Sequence, residues 1–410
     1  MVELEVAHHS RMAVFEREDE QRAIRPPRLR TFEHGDIARA HYLELFFDLV
    51  FVVAIAQLAH ELVVDHSLGG FATFAALYLP VFIAWQGFSS YADRFDTDDV
   101  VFRGVMFLAM LASAALAIQI PDVSHGESTG FVIAYVILRS LLVAVYLRSY
   151  VHVPEARPLI GRYAWQYSIA IGIWMASLAL ASPGRYVLWG VALAWELSIP
   201  PRARRLWEAI PRSASKIPER LALFTIIVLG EVIVVTALGT SGSEWALAAT
   251  VVAVLGFLVA AAIWWTYFGG GGEITMRRSS AAIAVFVYSH IPLLAALTAV
   301  SAGISLAIEQ SSGSQLDAGA RWALAGGAAV YLTFVTVAHA SSTQGVPASE
   351  LRARIGAGLA LVALALLGAA LDPVVFTAAT ASVLVGVVVL KLWTPRRVVA
   401  RDRAAAREPP

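Results

Sequence analysis

Residues 43–62 read LELFFDLVFVVAIAQLAHEL, twenty positions of which fifteen are apolar. A helix of about 20 such residues matches the hydrocarbon thickness of a bilayer. The segment is too continuously apolar for the single buried face of a soluble surface helix. Eleven further apolar blocks follow, so that spans are predicted at 43–62, 70–91, 100–120, 130–150, 163–181, 186–200, 221–240, 245–268, 281–305, 321–341, 353–371 and 373–393. The composition agrees: 58% of the 410 residues are hydrophobic, 15% are charged, and the mean hydropathy is +0.67. A soluble domain carries about 25% charged residues, and a β-barrel needs short alternating strands. Both are excluded. The fold class is an all-α polytopic transmembrane bundle of about 12 helices.

The connections divide by charge. One set carries Arg94 and Arg103; Arg148, Arg157 and Arg162; Arg202, Arg204, Arg205, Arg212, Lys216 and Arg220; Arg277 and Arg278; Arg352 and Arg354. The alternate set carries Arg185 and Arg321. Both ends are Arg-rich, with Arg25, Arg28 and Arg30, then Arg396, Arg397 and Arg401. The positive-inside rule then places both termini in the cytoplasm and favours an even helix count. Residues 1–40 mix Arg, Glu and Asp without an apolar core, which reads as a charged tail rather than a cleavable signal peptide. Pro200 and Pro201 are expected to stop the sixth helix, and Asp372-Pro373 to make a tight turn between the last two.

Leu43-Glu44-Leu45-Phe46 recurs as Leu221-Ala222-Leu223-Phe224, 178 residues on. Trp85 falls near Trp264-Trp265 at the same spacing. Two six-helix repeats are expected, parallel because an even number of spans separates equivalent helices. The organisation reads as a tail (1–40), a first half (41–200), a basic linker (201–220), a second half (221–393) and a second tail (394–410).

Ionisable groups inside spans are costly and mark function or pairing. Glu44 and Asp48 stand i, i+4 on one face of the first span, with His41 a turn earlier. Two carboxylates this close do not both ionise freely. They suit a proton acceptor or a cation site, and equally an interfacial pair held by an arginine from another helix. Glu231 sits mid-span in the seventh helix beside Gly230, beyond the reach of snorkelling. Arg139 is mid-span in the fourth helix, with Asp48, Glu231 or Glu196 as its ion-pair partner, or a bound anion instead. His290 precedes Pro292 by two residues, a setting for a hydrogen-bonded core histidine or a proton relay. Gln57 reads as an interhelical hydrogen-bonding residue, and His60 lies nearer a span end.

The loop Tyr91-Ala92-Asp93-Arg94-Phe95-Asp96-Thr97-Asp98-Asp99 is the densest acidic stretch. Asp96, Asp98 and Asp99 could hold Mg²⁺ with a diphosphate. Against this, Thr97 or Asp98 would cap the third helix, whose N-terminus favours acids. The Gly269–Gly272 run lacks the GK[ST] of a phosphate loop, and the aromatics at 264–268 suit an interfacial belt. With net charge +0 no field draws nucleic acid, and with no cysteine there is no thiolate chemistry. No cofactor is expected.

Glu44-Leu45-Phe46-Phe47-Asp48-Leu49-Val50-Phe51-Val52 followed by Gln57-Leu58 resembles the opening signature of the bacterial low-temperature-requirement A (LtrA) family. Glu219-Arg220-Leu221-Ala222-Leu223-Phe224-Thr225-Ile226-Ile227-Val228-Leu229-Gly230-Glu231 and Tyr288-Ser289-His290-Ile291-Pro292-Leu293 are also similar to it, as is the acidic loop. The resemblance runs from about Tyr42 to the last helix. It implies a multi-spanning bacterial inner-membrane protein linked to growth in the cold, and no settled activity. Many members carry an acid where Gly269 stands here, which leaves Glu273 as the nearest substitute.

The expected function is transport of protons or small cations between the halves. Glu44 and Asp48 would form its mouth, Glu231 the relay, Arg139 the tuning charge, and His290 the outward step, with Glu196 a further acid. Two alternatives stay open: a membrane enzyme acting on a lipid or isoprenoid phosphate through the Asp loop, and a non-catalytic membrane factor supporting cold growth. The bilayer is the expected partner, and a homodimer is compatible with the chain.

Overall fold

The computed structural model describes residues 23–30, 42–203, 205–206, 216–242, 245–269, 276–277 and 279–393. His41, Glu273, Arg204, Arg212, Arg278 and the outer parts of both tails lie outside them, as do the side chains of Asp96 and Lys216. Twelve helices carry the described fold. They are α1 (Tyr42–Val64), α2 (Leu68–Arg94), α3 (Val100–Ile118), α4 (Thr129–His152), α5 (Arg157–Ser177) and α6 (Gly184–Leu197). The second six are α7 (Lys216–Gly242), α8 (Leu247–Phe268), α9 (Ser280–Glu309), α10 (Ala318–Ala340), α11 (Ala348–Leu367) and α12 (Pro373–Trp393). Ten are long and apolar enough to cross a bilayer. The two that are not are α5, which is the more polar, and α6, which has only 14 residues. A 14-residue helix rises about 21 Å, short of the hydrocarbon core.

The helix starts are chemically marked. The Ser67 side chain accepts from the Gly70 amide at 3.2 Å, Asp99 from Phe102 at 3.0 Å, and Asp372 from Val374 and Val375 at 2.9 and 3.0 Å. Each satisfies donors that an α-helix leaves open at its first turn. The cap of α3 is therefore Asp99, not Thr97 or Asp98, because the helix begins one residue later than the acidic run suggests. Helix α6 ends at Leu197, three residues ahead of Pro200, and the two prolines are not its last residues. They open a separate short turn, Ile199–Arg202, where a missing amide hydrogen costs nothing.

The six-helix repeat is visible in the packing. In the first half α1 lies on α2 and α3, α3 on α4, α4 on α5, α5 on α6, and α2 touches α6. In the second half α7 lies on α8 and α9, α9 on α10, α10 on α11, α11 on α12, and α8 touches α12. Each of these six pairs recurs six helices later. The halves meet where α1 and α2 pack on α7 and α9. Helix α9 is the most enclosed span, and at Gly303 a Cβ would stand 2.4 Å from the Leu324 amide nitrogen. Only glycine lets α9 and α10 approach this closely.

Three arginines expected in connections are instead buried: Arg94, Arg220 and Arg354. Long side chains near helix ends turn inward when carboxylates or aromatic rings wait there. Ahead of α1, β1 (Arg28–Leu29) pairs antiparallel with β2 (Phe95–Asp96). This straps residues 23–30 over the α2–α3 connection.

Candidate functional site

The seam between the halves holds a charged cluster. Glu44 and Asp48 project from one face of α1, as their i, i+4 spacing dictates, and both are buried. Arg220, one turn into α7, donates through Nη1 to Glu44 Oε2 at 2.9 Å and through Nη2 to Asp48 Oδ1 at 3.2 Å. Trp85 of α2 donates Nε1–H to the same Asp48 oxygen at 2.7 Å, and its ring stacks on Phe224 of α7 with centroids 4.2 Å apart. Acids of one repeat are thus held by a cation of the other, under an aromatic lid built from both. Charge-assisted bonds in so dry a setting are strong when intact and costly when broken.

A second cluster lies inside the first half. Arg139 of α4 pairs with Glu196 of α6, Tyr135 donates its hydroxyl to Glu196 Oε2 at 2.8 Å, and Trp174 donates to Oε1 at 3.3 Å. The guanidinium also lies over the Tyr167 ring, 5.0 Å from its centroid. Gly87 of α2 makes room, since a Cβ there would stand 2.8 Å from Arg139 Nη1. Of the three partners expected for Arg139, Glu196 is the one it meets. Arg139 therefore does not tune Glu231: it is committed within its own half, and α4 packs on α2, α3 and α5.

The second half carries a longer polar string. His290 is fully buried, its Nδ1 2.6 Å from the Phe286 carbonyl and its Nε2 2.8 Å from the Tyr267 hydroxyl. A ring that donates at Nδ1 accepts at Nε2, so these contacts fit a neutral imidazole. The Tyr267 ring in turn faces His339 of α10, with centroids 5.8 Å apart. His339 Nδ1 accepts from Arg354 of α11 at 3.3 Å, and Arg354 pairs with Glu350 at 2.6 Å. Lys391 of α12 reaches Glu350 at 3.8 Å. Tyr267 is accordingly no belt residue; its hydroxyl is spent inside the bundle, whereas Trp264 and Trp265 remain exposed.

Glu231 stands apart. It is half-buried on α7, and among the described residues it makes no hydrogen bond or ion pair. Eleven residues separate it from Arg220, about 16 Å along the helix axis. His290 leads to Tyr267 and not to Glu231. Gln57 is half-buried with no side-chain hydrogen bond among the described residues, contrary to its expected interhelical role. In the acidic loop Asp98 pairs with Arg103 at 2.8 Å, and Asp99 takes both Nη atoms of Arg148 at 2.9 and 2.7 Å. No group of three or more metal-ligating side chains occurs among the described residues. Asp99 serves as a cap and a clamp and Asp98 pairs beside it, which is where a helix N-terminus draws acids.

A family model described as bacterial low temperature requirement A protein (LtrA) matches residues 39–389. The chain belongs to the LtrA family. It is also similar to the uncharacterized protein RA0937 of Rhizobium meliloti (strain 1021), 30% identical over 297 residues that cover 67% of this chain and 71% of that protein. No solved structure matches.

In this LtrA chain the residues that complete the clusters are Arg220, Trp85, Tyr135, His339 and Arg354. Arg220 could have been found, because it heads a span whose repeat partner opens with carboxylates. Arg354 hides in the same way, one turn into α11 after Glu350. Tyr135 and His339 carry no signal of their own in an apolar helix; only packing shows their partners.

Proposed function

We propose that this LtrA protein is a transport protein of the bacterial inner membrane, moving protons or small cations along the seam between its repeats, with both termini cytoplasmic. The carrying observation is the buried contact of Glu44 and Asp48 on α1 with Arg220 on α7. A proton delivered to Asp48 removes the charge that holds Arg220 Nη2 and loosens the grip of one repeat on the other. Release of that proton restores the grip. Coupling a charge change to two packings of the halves is what a transporter with repeats requires. Trp85 fixes the Asp48 carboxylate, so proton exchange takes place at its remaining oxygen. Glu231 serves as a second, separate proton site on α7; at this distance from Arg220 it exchanges with the seam only through water or a carried ion.

The test is ion flux into proteoliposomes holding the purified chain, with Asp48→Asn and Glu231→Gln in parallel. Flux in the wild type and its loss in Asp48→Asn support the seam. Flux that survives Asp48→Asn but stops in Glu231→Gln moves the path to the exposed face of α7. An absence of flux under proton, Na⁺ and K⁺ gradients rejects transport of these ions.

A further inference from the structure

A crevice of 1680 Å³ runs between α2 of the first half and α9, α10 and α11 of the second. This exceeds the usual range of small-molecule pockets, about 300–1,000 Å³. It extends from Asp65 and Asp317 at one end to Arg354 and Thr336 at the other. Along α10 that is about 28 Å, close to the thickness of the hydrocarbon core. Between the ends its walls are almost wholly apolar, and its rim carries exposed Leu68, Trp322 and Leu359. An opening rimmed in this way admits hydrocarbon rather than water.

Two buried residues of the crevice walls each carry a polar atom that the protein leaves without a hydrogen-bond partner. Tyr78, on the wall at mid-depth, is 1% exposed, and its hydroxyl has no hydrogen-bond partner. Arg354 is 2% exposed, and its Nε has none either. Buried hydroxyls and guanidinium hydrogens left unpaired cost free energy, and native structures seldom leave them so. The walls are also irregular. Helix α10 makes a π turn at Trp322–Gly326, and α9 carries Pro292. Such interruptions gather where a ligand sits.

We propose that the crevice holds an anionic membrane phospholipid, its acyl chains along α10 and its phosphate at the Arg354 end. The ends differ in charge as this needs. Arg352 and Arg354 lie in one turn of α11 against the single carboxylate of Glu350, while the far mouth carries Asp65 and Asp317. A cationic pocket between spans is a headgroup site. This lipid site is separate from the proposed ion path, because none of Glu44, Asp48, Arg220 and Glu231 lines the crevice.

The experiment places the purified full chain in nanodiscs of equal phosphatidylglycerol and phosphatidylcholine, re-extracts it, and counts retained lipid by native mass spectrometry. Wild type should retain phosphatidylglycerol in preference to phosphatidylcholine. Gly358→Phe should abolish retention, since Gly358 lines the crevice and its Cβ direction meets nothing within 4 Å. Arg352→Gln removes an exposed cation at the headgroup end and should keep its thermal unfolding while the preference for phosphatidylglycerol falls about fivefold. Equal retention of the two lipids, or undiminished retention in Gly358→Phe, would overturn the proposal. Unchanged preference in Arg352→Gln would overturn the placement of the phosphate at this end.

Discussion

At the scale of single residues, Arg220 decides more than any acid it touches. Replacing it with Met leaves two carboxylates buried without their shared cation, and breaking such a pair from one side costs about 3–5 kcal/mol. The triple change Arg220→Met, Glu44→Gln, Asp48→Asn removes the charges together and should recover most of that loss. Thermal unfolding in detergent reads the difference. A triple variant no more stable than Arg220→Met would mean that the pair is not the source of the effect. Glu44, Asp48, Arg139 and Glu196 were legible in the sequence because an ionised group in an apolar helix is conspicuous. Their partners were less so. Arg220 sits beside the basic linker and has the look of a loop cation; beyond its place at the head of a repeated span, the inward turn of its side chain toward acids 172 and 176 positions earlier is what shows its role.

At the scale of elements, the strap of residues 23–30 depends on Asp99. Its carboxyl is pushed up by burial but held down by more: both Nη atoms of Arg148, the Phe102 amide and the Arg25 amide, with the net result below the ordinary value of 3.8. A carboxyl depressed in the folded state stabilises fully above its unfolded pKa, and that contribution fades as pH falls through the lower folded value. The strap should therefore stay docked at neutral pH and release only as acid is taken below 3.8, the ordinary carboxylate value. Amide hydrogen exchange of residues 23–30 is the measurement, and release on raising the pH instead would reverse the sign. Asp99→Asn should free the strap at neutral pH while α3 keeps most of its cap, since Asn also caps well. The acidic loop was conspicuous as sequence, yet the strap that explains Asp99 was not. It joins residues about 70 positions apart, through a two-residue ladder with no alternating pattern to announce it. Helix positions were easier to read because span length is set by the bilayer. The π turn in α10 left no mark, since its apolar residues suit either winding.

At the scale of the molecule, the repeat of neighbours six helices apart means that each half buries most of its own helix contacts and that the seam is a smaller surface between two folded bodies. The spacing of 178 residues between Leu43 and Leu221 announced this, because both copies keep the same apolar opening. The crevice was invisible at that level, as its walls are ordinary apolar positions and its two telling groups, Tyr78 and Arg354, stand 276 residues apart. Two bodies of this kind should survive separation. Coexpressed chains divided within 207–215 should assemble in the membrane and copurify, since each repeat closes its own ring of contacts without that connection. Assembly of the divided chains rests on the seam alone, so Arg220→Met should reduce copurification far more than it lowers the yield of the intact chain, where the covalent link keeps the halves at high effective concentration. Restoring neutrality with Glu44→Gln and Asp48→Asn should bring copurification back toward the wild-type level. If divided halves carrying Arg220→Met copurify as well as the unmodified pair, the apolar packing of α1 and α2 on α7 and α9 holds the molecule together, and the charged cluster is free to break during a transport cycle at little cost to assembly.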